Sequence, residues 1–453
     1  MDAAAPSGSV RGEAQSAKQL HVIIIGGGIG GLCLAHGLNN AGIRVTVYER
    51  TRNRIDWLEG YRVHINPSGA RALHDCLPPL NWDMFVATAG KPEAGFSFRD
   101  EQLEELLFLD WSAQTLGSTA SFSSHHSVSR ITLRQVLLNG LDGIVHHGKE
   151  FVWYEQDPGG RITVSFADGT SASGDVLIAA DGSNSRVRQQ FLPHARRVDT
   201  DVRSIGGKLP LDDETRKWLP QSFYGCMNTI VPPRDYFMFI SGWRGSHDEQ
   251  EISAGDGGAE SQAGQMPGFL LDNTRDYVFW ALAAKREKYQ DVDLEKASGR
   301  ELLDTAQAMT RGWHPTLLRL IADSDPSTVA SVRIRSMGPV KPWPTTNITL
   351  LGDAIHNMTP MAGIGANTAL QDASLLCRKL TDAAHGRLPL LTAIHEYETE
   401  MLRYGFAAVR RSMMRTRQAT SGNRVQRAVF RRMLRVLGRI GPIRRKMARK
   451  MGT

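Results

Sequence analysis

The sequence has few cysteines and no long apolar segment, and each absence excludes a class of protein. Four of its 453 residues are cysteines, and no two of them form a C-x-x-C pair. This scatter argues against a disulfide framework and against a zinc site, and it is typical of a protein in the reducing cytoplasm. The longest apolar runs, such as those at 22–25 and 176–180, fall far short of the roughly 18 residues that a membrane-spanning helix needs.

Two stretches lack the patterns of a folded element. Residues 1–18 are small and polar, without the apolar centre of a secretory signal, so we predict a flexible tail. The stretch 244–268 is rich in Gly, Ser, Asp and Glu and shows no periodicity, which predicts a mobile loop. The composition is otherwise that of a globular chain, with 41% hydrophobic and 22% charged residues, and the length suffices for a large domain and a second one.

Acidic residues are absent from the C-terminal end of the chain. From Arg410 onward there are 15 Lys and Arg and no Asp or Glu. Because the formal net charge of the whole chain is +7, the residues before Arg410 carry a net charge of −8. Nucleic-acid binding would depend on the tail alone, which lacks the interleaved aromatic side chains of single-strand binding surfaces. We therefore expect no nucleic-acid partner.

Near the N-terminus a glycine-rich stretch follows an apolar run. The β-branched run at 21–25 stops at Gly26, a helical pattern follows, and a second strand-like run ends at Glu49. Gly26, Gly28 and Gly31 match G-x-G-x-x-G, whose glycines permit a tight turn, the approach of a diphosphate and close packing of helix and strand. The diphosphate would lie at the helix N-terminus, where unpaired N–H groups and the helix dipole favour an anion.

Glu49 adds a second feature of a dinucleotide site. It lies 18 residues after Gly31, at the end of the second strand. A carboxylate there can accept both hydroxyls of an adenosine ribose and disfavours a 2′-phosphate. A glycine-rich turn without a ligand is the alternative, but strand, helix, strand and acid together favour dinucleotide binding. These features do not distinguish FAD from NAD.

Two later motifs complete a known pattern. Asp181-Gly182 follows a hairpin-like pair of runs, and far downstream a strand-like run leads into a G-D-A-x-H segment at 352–356 and a P…G-x-G-x-N segment at 360–367. Together with the G-x-G-x-x-G, these motifs have the order and spacing of the single-component flavoprotein aromatic hydroxylases, the class A FAD-dependent monooxygenases. The sequence resembles that family from Val22 to about Leu380. The resemblance implies FAD as the bound cofactor.

The resemblance also implies which residues contact the flavin. Asp353 would accept a hydrogen bond from a ribityl hydroxyl, and the backbone N–H groups of Gly365 and Ala366 would face the pyrimidine edge. The helix that opens near Asn367 would direct its positive dipole end to the same edge, where negative charge accumulates on reduction. The alternative for Asp353 is a plain helix N-cap, and Asp181 is equally consistent with a structural brace near the cofactor.

Two arginines are less specific candidates for the cofactor site. Arg130 begins a predicted helix where the family has an arginine that contacts FAD, and a surface arginine is the alternative. Arg62 lies in a segment whose backbone passes the flavin in the family, usually with small residues where Tyr61 and Arg62 stand here. This departure indicates either side chains that reach the active site or a different local path.

No side chain is identified as the catalyst. Lys208 stands near the place where relatives often carry an arginine over the flavin ring, but a solvated surface lysine is the commoner case. The histidine pairs at 125–126 and 146–147 lack the spacing and companions of a metal site, so we interpret them as polar surface.

In this family the cofactor supplies the difficult chemistry, and the protein supplies position and electrostatics. The resemblance implies that reduced flavin reacts with O2 to a C4a-hydroperoxide, which hydroxylates or epoxidises a small organic substrate, aromatic or of polyketide or terpenoid type. A single dinucleotide fingerprint occurs, so NAD(P)H is expected as a transient co-substrate. An FAD-dependent oxidase or dehydrogenase and a non-catalytic FAD-binding module recruited to a membrane remain as alternatives. A flavin halogenase would require a W-x-W-x-I-P motif that the chain lacks.

The predicted fold class is α/β. Residues 19–200 and 324–409 would form a Rossmann-like FAD-binding domain with a parallel sheet. Residues 201–323, which contain alternating runs, would form a substrate domain with an antiparallel sheet that interrupts the first domain. Residues 410–453 would form a basic helical tail.

The tail carries a basic amphipathic pattern up to Gly441-Pro442. Apolar residues recur there at three- and four-residue steps, with arginines between them. The pattern predicts either peripheral contact with an anionic membrane or ordinary packing of the helix on the FAD domain, and it does not decide between them. The apolar positions are Val425, Val429, Met433, Val436, Leu437 and Ile440.

Overall fold

Seventeen strands and fourteen α-helices occur in the residues that the computed structural model describes, which are 20–52, 62–90, 93–111, 121–233, 235–244, 276–289 and 292–451. The tail predicted at 1–18, the loop predicted at 244–268 apart from its first residue, and Tyr61 lie outside the described residues. The strands are β1 (His21–Ile25), β2 (Arg44–Glu49), β3 (Arg62–Ile65), β4 (Gly95–Arg99), β5 (Glu105–Asp110), β6 (His126–Ser129), β7 (Val145–His147), β8 (Phe151–Gln156), β9 (Ile162–Phe166), β10 (Ser171–Gly174), β11 (Val176–Ala179), β12 (Arg197–Pro210), β13 (Met227–Ile230), β14 (Tyr236–Trp243), β15 (Tyr277–Lys285), β16 (Ala330–Met337) and β17 (Ile348–Leu350).

The helices connect these strands and close the chain. They are α1 (Ile29–Asn40), α2 (Pro67–Cys76), α3 (Pro79–Thr88), α4 (Arg130–Leu138), α5 (Arg186–Phe191), α6 (Asp213–Trp218), α7 (Ser222–Gly225), α8 (Gly299–Met309), α9 (Pro315–Ala322), α10 (Asp353–His356), α11 (Gly365–Ala384), α12 (Leu390–Ala419), α13 (Arg424–Arg439) and α14 (Gly441–Met451).

The first sheet is parallel, with strand order β17-β11-β1-β2-β7. β1 pairs with β2 and β11, and all five of its residues are buried, as expected for a strand covered on both faces. α1 connects β1 to β2 and packs against α11. The predicted Rossmann-like α/β domain with a parallel sheet is therefore confirmed.

The second sheet has the order β16-β12-β15-β14-β13-β4-β5 and is antiparallel except where β13 runs parallel to β4. The apolar residues of α8 and α9 pack on it around the fully buried Trp280 of β15. The predicted antiparallel sheet is confirmed. Its strands come from both sides of the segment 201–323 as well, because β4 and β5 precede that segment and β16 follows it.

The C-terminal helices pack against both parts of the protein. α12 lies on α11, whereas α13 and α14 lie on β5 of the second sheet. Leu434 of α13 is 3% exposed and packs with Leu106 and Leu107 of β5, and Arg431 makes an ion pair of 3.1 Å with Asp100. The helical tail is confirmed. α13 packs on β5, which lies within the range 19–200 predicted for the FAD-binding domain but belongs to the second sheet. The packed face of α13 thus places arginines against acidic residues in the turn before β5 and apolar side chains against those of β5.

Glu398 on α12 holds the segment that leads into β17. Its buried carboxylate accepts hydrogen bonds from Trp343 Nε1 at 3.0 Å, Thr345 Oγ1 at 2.8 Å and Thr349 Oγ1 at 2.9 Å. Burial raises the pKa of Glu398, although the three hydrogen bonds act in the opposite direction.

We predict that Glu398→Ala lowers the free energy of unfolding by about 3 kcal/mol, because it leaves three donors without their acceptor. Glu398→Gln keeps an acceptor and should lose less stability.

The raised pKa of Glu398 also predicts a pH dependence. The folded pKa lies above the ordinary value of 4.5, so above that pH the folded state binds more protons than the unfolded state. The contribution of Glu398 to stability therefore falls as pH rises. Urea unfolding should show wild type losing stability relative to Glu398→Gln as pH rises from about 4.5. A pH-independent difference would contradict the raised pKa.

Candidate cofactor and active site

The loop between β1 and α1 is shaped by its glycines. Gly26 has a φ of 112°, and a Cβ there would lie 2.3 Å from the carbonyl oxygen of Ala180. A Cβ at Gly31 would lie 2.3 Å from the carbonyl oxygen of Gly26. Gly28 differs, because it is the N-cap of α1 and a Cβ there would meet no described atom within 4 Å. The open side of the loop at Gly28 lets an anion approach the N-terminus of α1.

Two side chains brace this loop. Glu49 at the end of β2 is 4% exposed, and its carboxylate accepts hydrogen bonds from the N–H of Gly27 at 2.7 Å and of Thr51 at 2.9 Å. An ionised carboxylate retains lone pairs beyond these two bonds, so ribose binding by Glu49 stays a prediction. Arg134 of α4 donates from Nε to the carbonyl oxygen of Gly27 at 3.1 Å. Sequence reasoning missed Arg134, since no motif marks it.

The N-terminus of α11 lies beside β3. No side chain caps this 20-residue helix, which begins at Gly365. Asn367 is 2% exposed, donates from Nδ2 to the carbonyl oxygen of His64 at 2.8 Å, and accepts from the N–H of Asn66 at 2.9 Å. Gly365 and Ala366 are therefore held at an uncapped helix end next to the strand that was expected to pass the flavin.

Asp372 of α11 holds the G-D-A-x-H segment at 352–356 in place. This fully buried carboxylate accepts from the N–H of Gly352 at 2.7 Å and from the hydroxyl of Tyr404 at 2.5 Å, and it lies 2.6 Å from His356 Nε2. Burial opposes a charge on His356, but the charge and hydrogen bond of Asp372, together with the charge of Asp353, raise the pKa of His356. Asp353 itself is exposed at the start of α10, whose N-cap is Gly352 with no side-chain bond. A plain N-cap role for Asp353 is therefore not what the structure shows.

The Asp-Gly motif is joined to the other two motifs. Asp181 accepts from the N–H of Arg186 at 2.8 Å, and burial raises the pKa of Asp181. Arg188 of α5 donates from Nη1 to the carbonyl oxygen of Ala354 at 2.8 Å. Because Ala180 also contacts Gly26, the three motifs meet at the carboxyl ends of β1, β11 and β17, where ligands bind in open parallel sheets.

The remaining predicted positions have other partners. Arg62 makes an ion pair of 2.6 Å with Glu93 and donates to Ser127 Oγ at 2.8 Å. Arg130 is the half-buried first residue of α4. Their contacts with FAD stay predictions. The ammonium of Lys208 on β12 lies 4.7 Å from the ring centroid of Tyr277 on the neighbouring strand β15. This contact joins two strands of the second sheet.

An aromatic and histidine cluster lies where β3 meets the second sheet. His125 Nδ1 is 3.0 Å from His64 Nε2, and the rings of His125 and Trp111 stack with centroids 5.3 Å apart. Burial lowers the pKa of His64, and neighbouring positive groups lower it further. His126 is buried. The interpretation of the 125–126 pair as polar surface is therefore wrong for His126, which is buried where β6 pairs with β3, and His125 is half-buried against His64 and Trp111.

Comparison with known proteins identifies the fold. A model of the FAD binding domain matches residues 282–412, and a model of the NAD(P)-binding Rossmann-like domain matches residues 24–55. A Photorhabdus luminescens protein named as a candidate FAD-containing monooxygenase has a crystal structure that matches with a TM-score of 0.77 and 37% identity, covering 88% of this chain and 98% of that chain. The chain belongs to the FAD-dependent monooxygenases. Its cofactor is FAD.

Curated relatives differ in length and in the activities their names state. The chain is 30% identical over 400 residues to a dual O-methyltransferase/FAD-dependent monooxygenase of Cercospora beticola, covering 85% of this chain and 44% of that protein. It thus spans less than half the length of the first curated relatives that it matches. It is 29% identical to an FAD-dependent urate hydroxylase of Klebsiella pneumoniae, covering 84% and 85% of the two chains. A Klebsiella pneumoniae protein crystallised with FAD and uric acid shares the fold, with a TM-score of 0.73, 24% identity and 96% of each chain covered.

The residues of the site fit FAD. The side of the loop at Gly28 is open, and the N-termini of α1 and α11 carry no capping side chain. Asp353, which follows β17 in the sequence, is exposed. These groups supply two anion-binding helix ends and one acceptor for a hydroxyl.

We predict that Gly28→Val abolishes flavin binding and leaves the fold intact. The branched side chain would occupy the space where the diphosphate approaches, yet it would contact no described atom of the protein. The absorbance spectrum of the purified variant should lack flavin, while its thermal unfolding stays cooperative. The matched variant Gly31→Val should fail to fold, because its Cβ would clash with the backbone of Gly26. Full flavin occupancy in Gly28→Val would exclude this assignment.

We predict that Asp353→Ala weakens FAD binding by about ten- to a hundredfold, because it removes one charge-assisted hydrogen bond. Flavin fluorescence during titration of the flavin-free protein measures the change. Asp304→Ala, which removes another exposed carboxylate on α8, serves as the control and should bind FAD like wild type. Equal affinity of the two variants would show that Asp353 does not contact the cofactor.

Proposed function

We propose that this protein is an FAD-dependent monooxygenase that uses NAD(P)H and O2 to hydroxylate or epoxidise a small organic substrate. The convergence of the three motifs at one edge of the parallel sheet, beside the uncapped N-terminus of α11, supports the proposal most directly. Membership of the FAD-dependent monooxygenases supports it independently. The sequence has one G-x-G-x-x-G fingerprint, which favours transient binding of NAD(P)H rather than a dedicated domain.

The chain would bind the cofactor, orient it and shield it. FAD when bound supplies the activation of O2 and the transfer of one oxygen atom. The N-terminus of α1 would hold the diphosphate, Asp353 would orient the ribityl chain, and the N–H groups of Gly365 and Ala366 would stabilise negative charge on the pyrimidine edge. Arg188 and Asp372 are positioning residues, since each acts through the backbone of the 352–356 segment.

We propose an aromatic substrate, or one of polyketide or terpenoid type. The ring cluster of His64, Trp111 and His125 lies between β3 and the second sheet, where such a substrate would face the flavin. Stacked rings offer a flat substrate favourable contact. The names of relatives include both a urate hydroxylase and fungal monooxygenases.

Substrate-stimulated oxidation of NAD(P)H by the flavin-loaded enzyme tests the proposal. With a panel of phenols and polyketide-like aromatics, we expect at least one compound to accelerate NAD(P)H consumption and to gain one ¹⁸O atom from ¹⁸O₂, detected by mass spectrometry. Gly28→Val, without flavin, is the blank. Consumption of O2 with hydrogen peroxide as the sole product would indicate an oxidase, and no consumption with any compound would indicate a non-catalytic FAD-binding module.

We also propose that the protein works in the cytoplasm and makes peripheral contact with a membrane through its basic C-terminal helices. None of the helices in the described ranges is long and apolar enough to cross a bilayer. Any contact made by these helices would therefore be with the membrane surface.

A further inference from the structure

α13 has two apolar faces. The face with Phe430 and Leu434 packs on the second sheet. Four other apolar side chains of α13 and that of Ile440, directly after its last residue, recur at three- and four-residue steps and form an exposed stripe on the opposite face. Their exposed fractions are 72% for Val425, 61% for Val429, 45% for Met433, 49% for Val436 and 38% for Ile440.

The packed face fixes the orientation of α13. Arg427 is 4% exposed and donates from Nε to the carbonyl oxygen of Pro232 at 2.6 Å and from Nη1 to that of Ala419 at 2.6 Å. Arg435 contacts Asp100 at 3.1 Å. A rotation that buried the exposed stripe would break these bonds and expose Leu434. The stripe is therefore a stable surface feature, and contiguous exposed apolar side chains mark interaction sites.

Arginines flank the exposed stripe on one side. Arg424, Arg432 and Arg439 make no ion pair with any carboxylate of the described residues, whereas Arg431 and Arg435 are paired with Asp100. The five arginines line a shallow groove of about 650 Å³. Because no acidic residue occurs from Arg410 onward, this surface fits a partner that is both anionic and apolar.

We propose that the exposed stripe inserts into the surface of an anionic phospholipid bilayer, with Arg424, Arg432 and Arg439 at the lipid phosphates. This inference rests on the proposed membrane contact and names its face and its lipid class. A second copy of the chain would place the same arginines against each other, at an electrostatic cost. A nucleic acid would neutralise the arginines but leave the stripe in water. A bilayer interface accommodates both parts, as it does for other basic amphipathic helices.

The orientation has a consequence for the substrate. α13 lies on β5, an edge strand of the second sheet, so membrane binding would hold that sheet against the bilayer. An apolar substrate dissolved in the membrane would then reach the enzyme without crossing bulk water.

Co-sedimentation of the flavin-loaded, full-length protein with vesicles tests the inference. We expect binding to vesicles that contain phosphatidylserine at low salt, weaker binding at high salt, and little binding to pure phosphatidylcholine. The double variant Val429→Asp and Val436→Asp should lower binding by about tenfold or more, because it places charges in the apolar contact. Val332→Asp, at another exposed valine (55%) on β16, is the matched control and should bind like wild type.

A second set of variants tests the arginines. The triple variant Arg424→Gln, Arg432→Gln and Arg439→Gln should bind phosphatidylserine vesicles more weakly and with less salt dependence. A control triple variant removes the same charge from exposed arginines elsewhere and should bind like wild type. The control positions are Arg71, Arg300 and Arg311.

Three outcomes would overturn the inference. The first is wild type in the supernatant with phosphatidylserine at low salt. The second is unchanged vesicle binding in both sets of variants. The third is a wild-type dimer that the valine variants convert to a monomer in sedimentation velocity, which would identify a second copy as the occupant. NAD(P)H oxidation in vesicle-free solution, expected to be equal in all variants, separates these results from failure of the proposed reaction.

Discussion

The cofactor site depends on the buried carboxylate of Asp372. A buried charge is costly unless donors surround it, and here the N–H of Gly352, the ring of His356 and the hydroxyl of Tyr404 contact the two oxygens. The carboxylate lies on α11, the backbone group precedes Asp353, and Tyr404 belongs to α12. One side chain therefore fixes the helix whose N-terminus would face the flavin relative to the segment that would hold its ribityl chain.

A second layer of contacts extends this arrangement to the rest of the site. Arg188 binds the carbonyl oxygen of Ala354, and Asn367 binds the backbone of β3 on both sides of Ile65. These donors act on backbone groups and do not reach outward to a ligand. The open positions, Gly28 and Asp353, are thus set in a frame of hydrogen bonds between protein groups.

Residues that flank the second sheet contact β3 beside the candidate cofactor site. Arg62 and His64 of β3 point away from the core that contains Ile65, and they contact Glu93, Trp111 and His125. This seam is polar and aromatic, in contrast to the aliphatic interior of the parallel sheet. At the edge of the second sheet, one face of α13 packs on β5, and its other face is an exposed apolar surface flanked by arginines. Its sequence pattern had presented membrane contact and packing as alternatives, whereas the two faces of the helix permit both.

The sequence by itself determined the parts of the protein that depend on local patterns. The β-branched run before Gly26, the glycine spacing and the acid at Glu49 sufficed to predict the β1-α1-β2 unit, because period and glycine conformation are properties of neighbouring residues. Asp353, Gly365 and Ala366 were predicted as cofactor contacts from a motif whose spacing matches a known family, and these contacts stay predictions. Tertiary structure alone decided which distant segments meet: that β4, β5 and β16 join the sheet of 201–323, that Arg134 and Arg188 bind backbone carbonyls of the motifs, that His126 is buried, and which face of α13 is exposed. Those contacts join residues far apart in the chain, and neither periodicity nor residue type encodes which partner a strand edge or a buried donor will find.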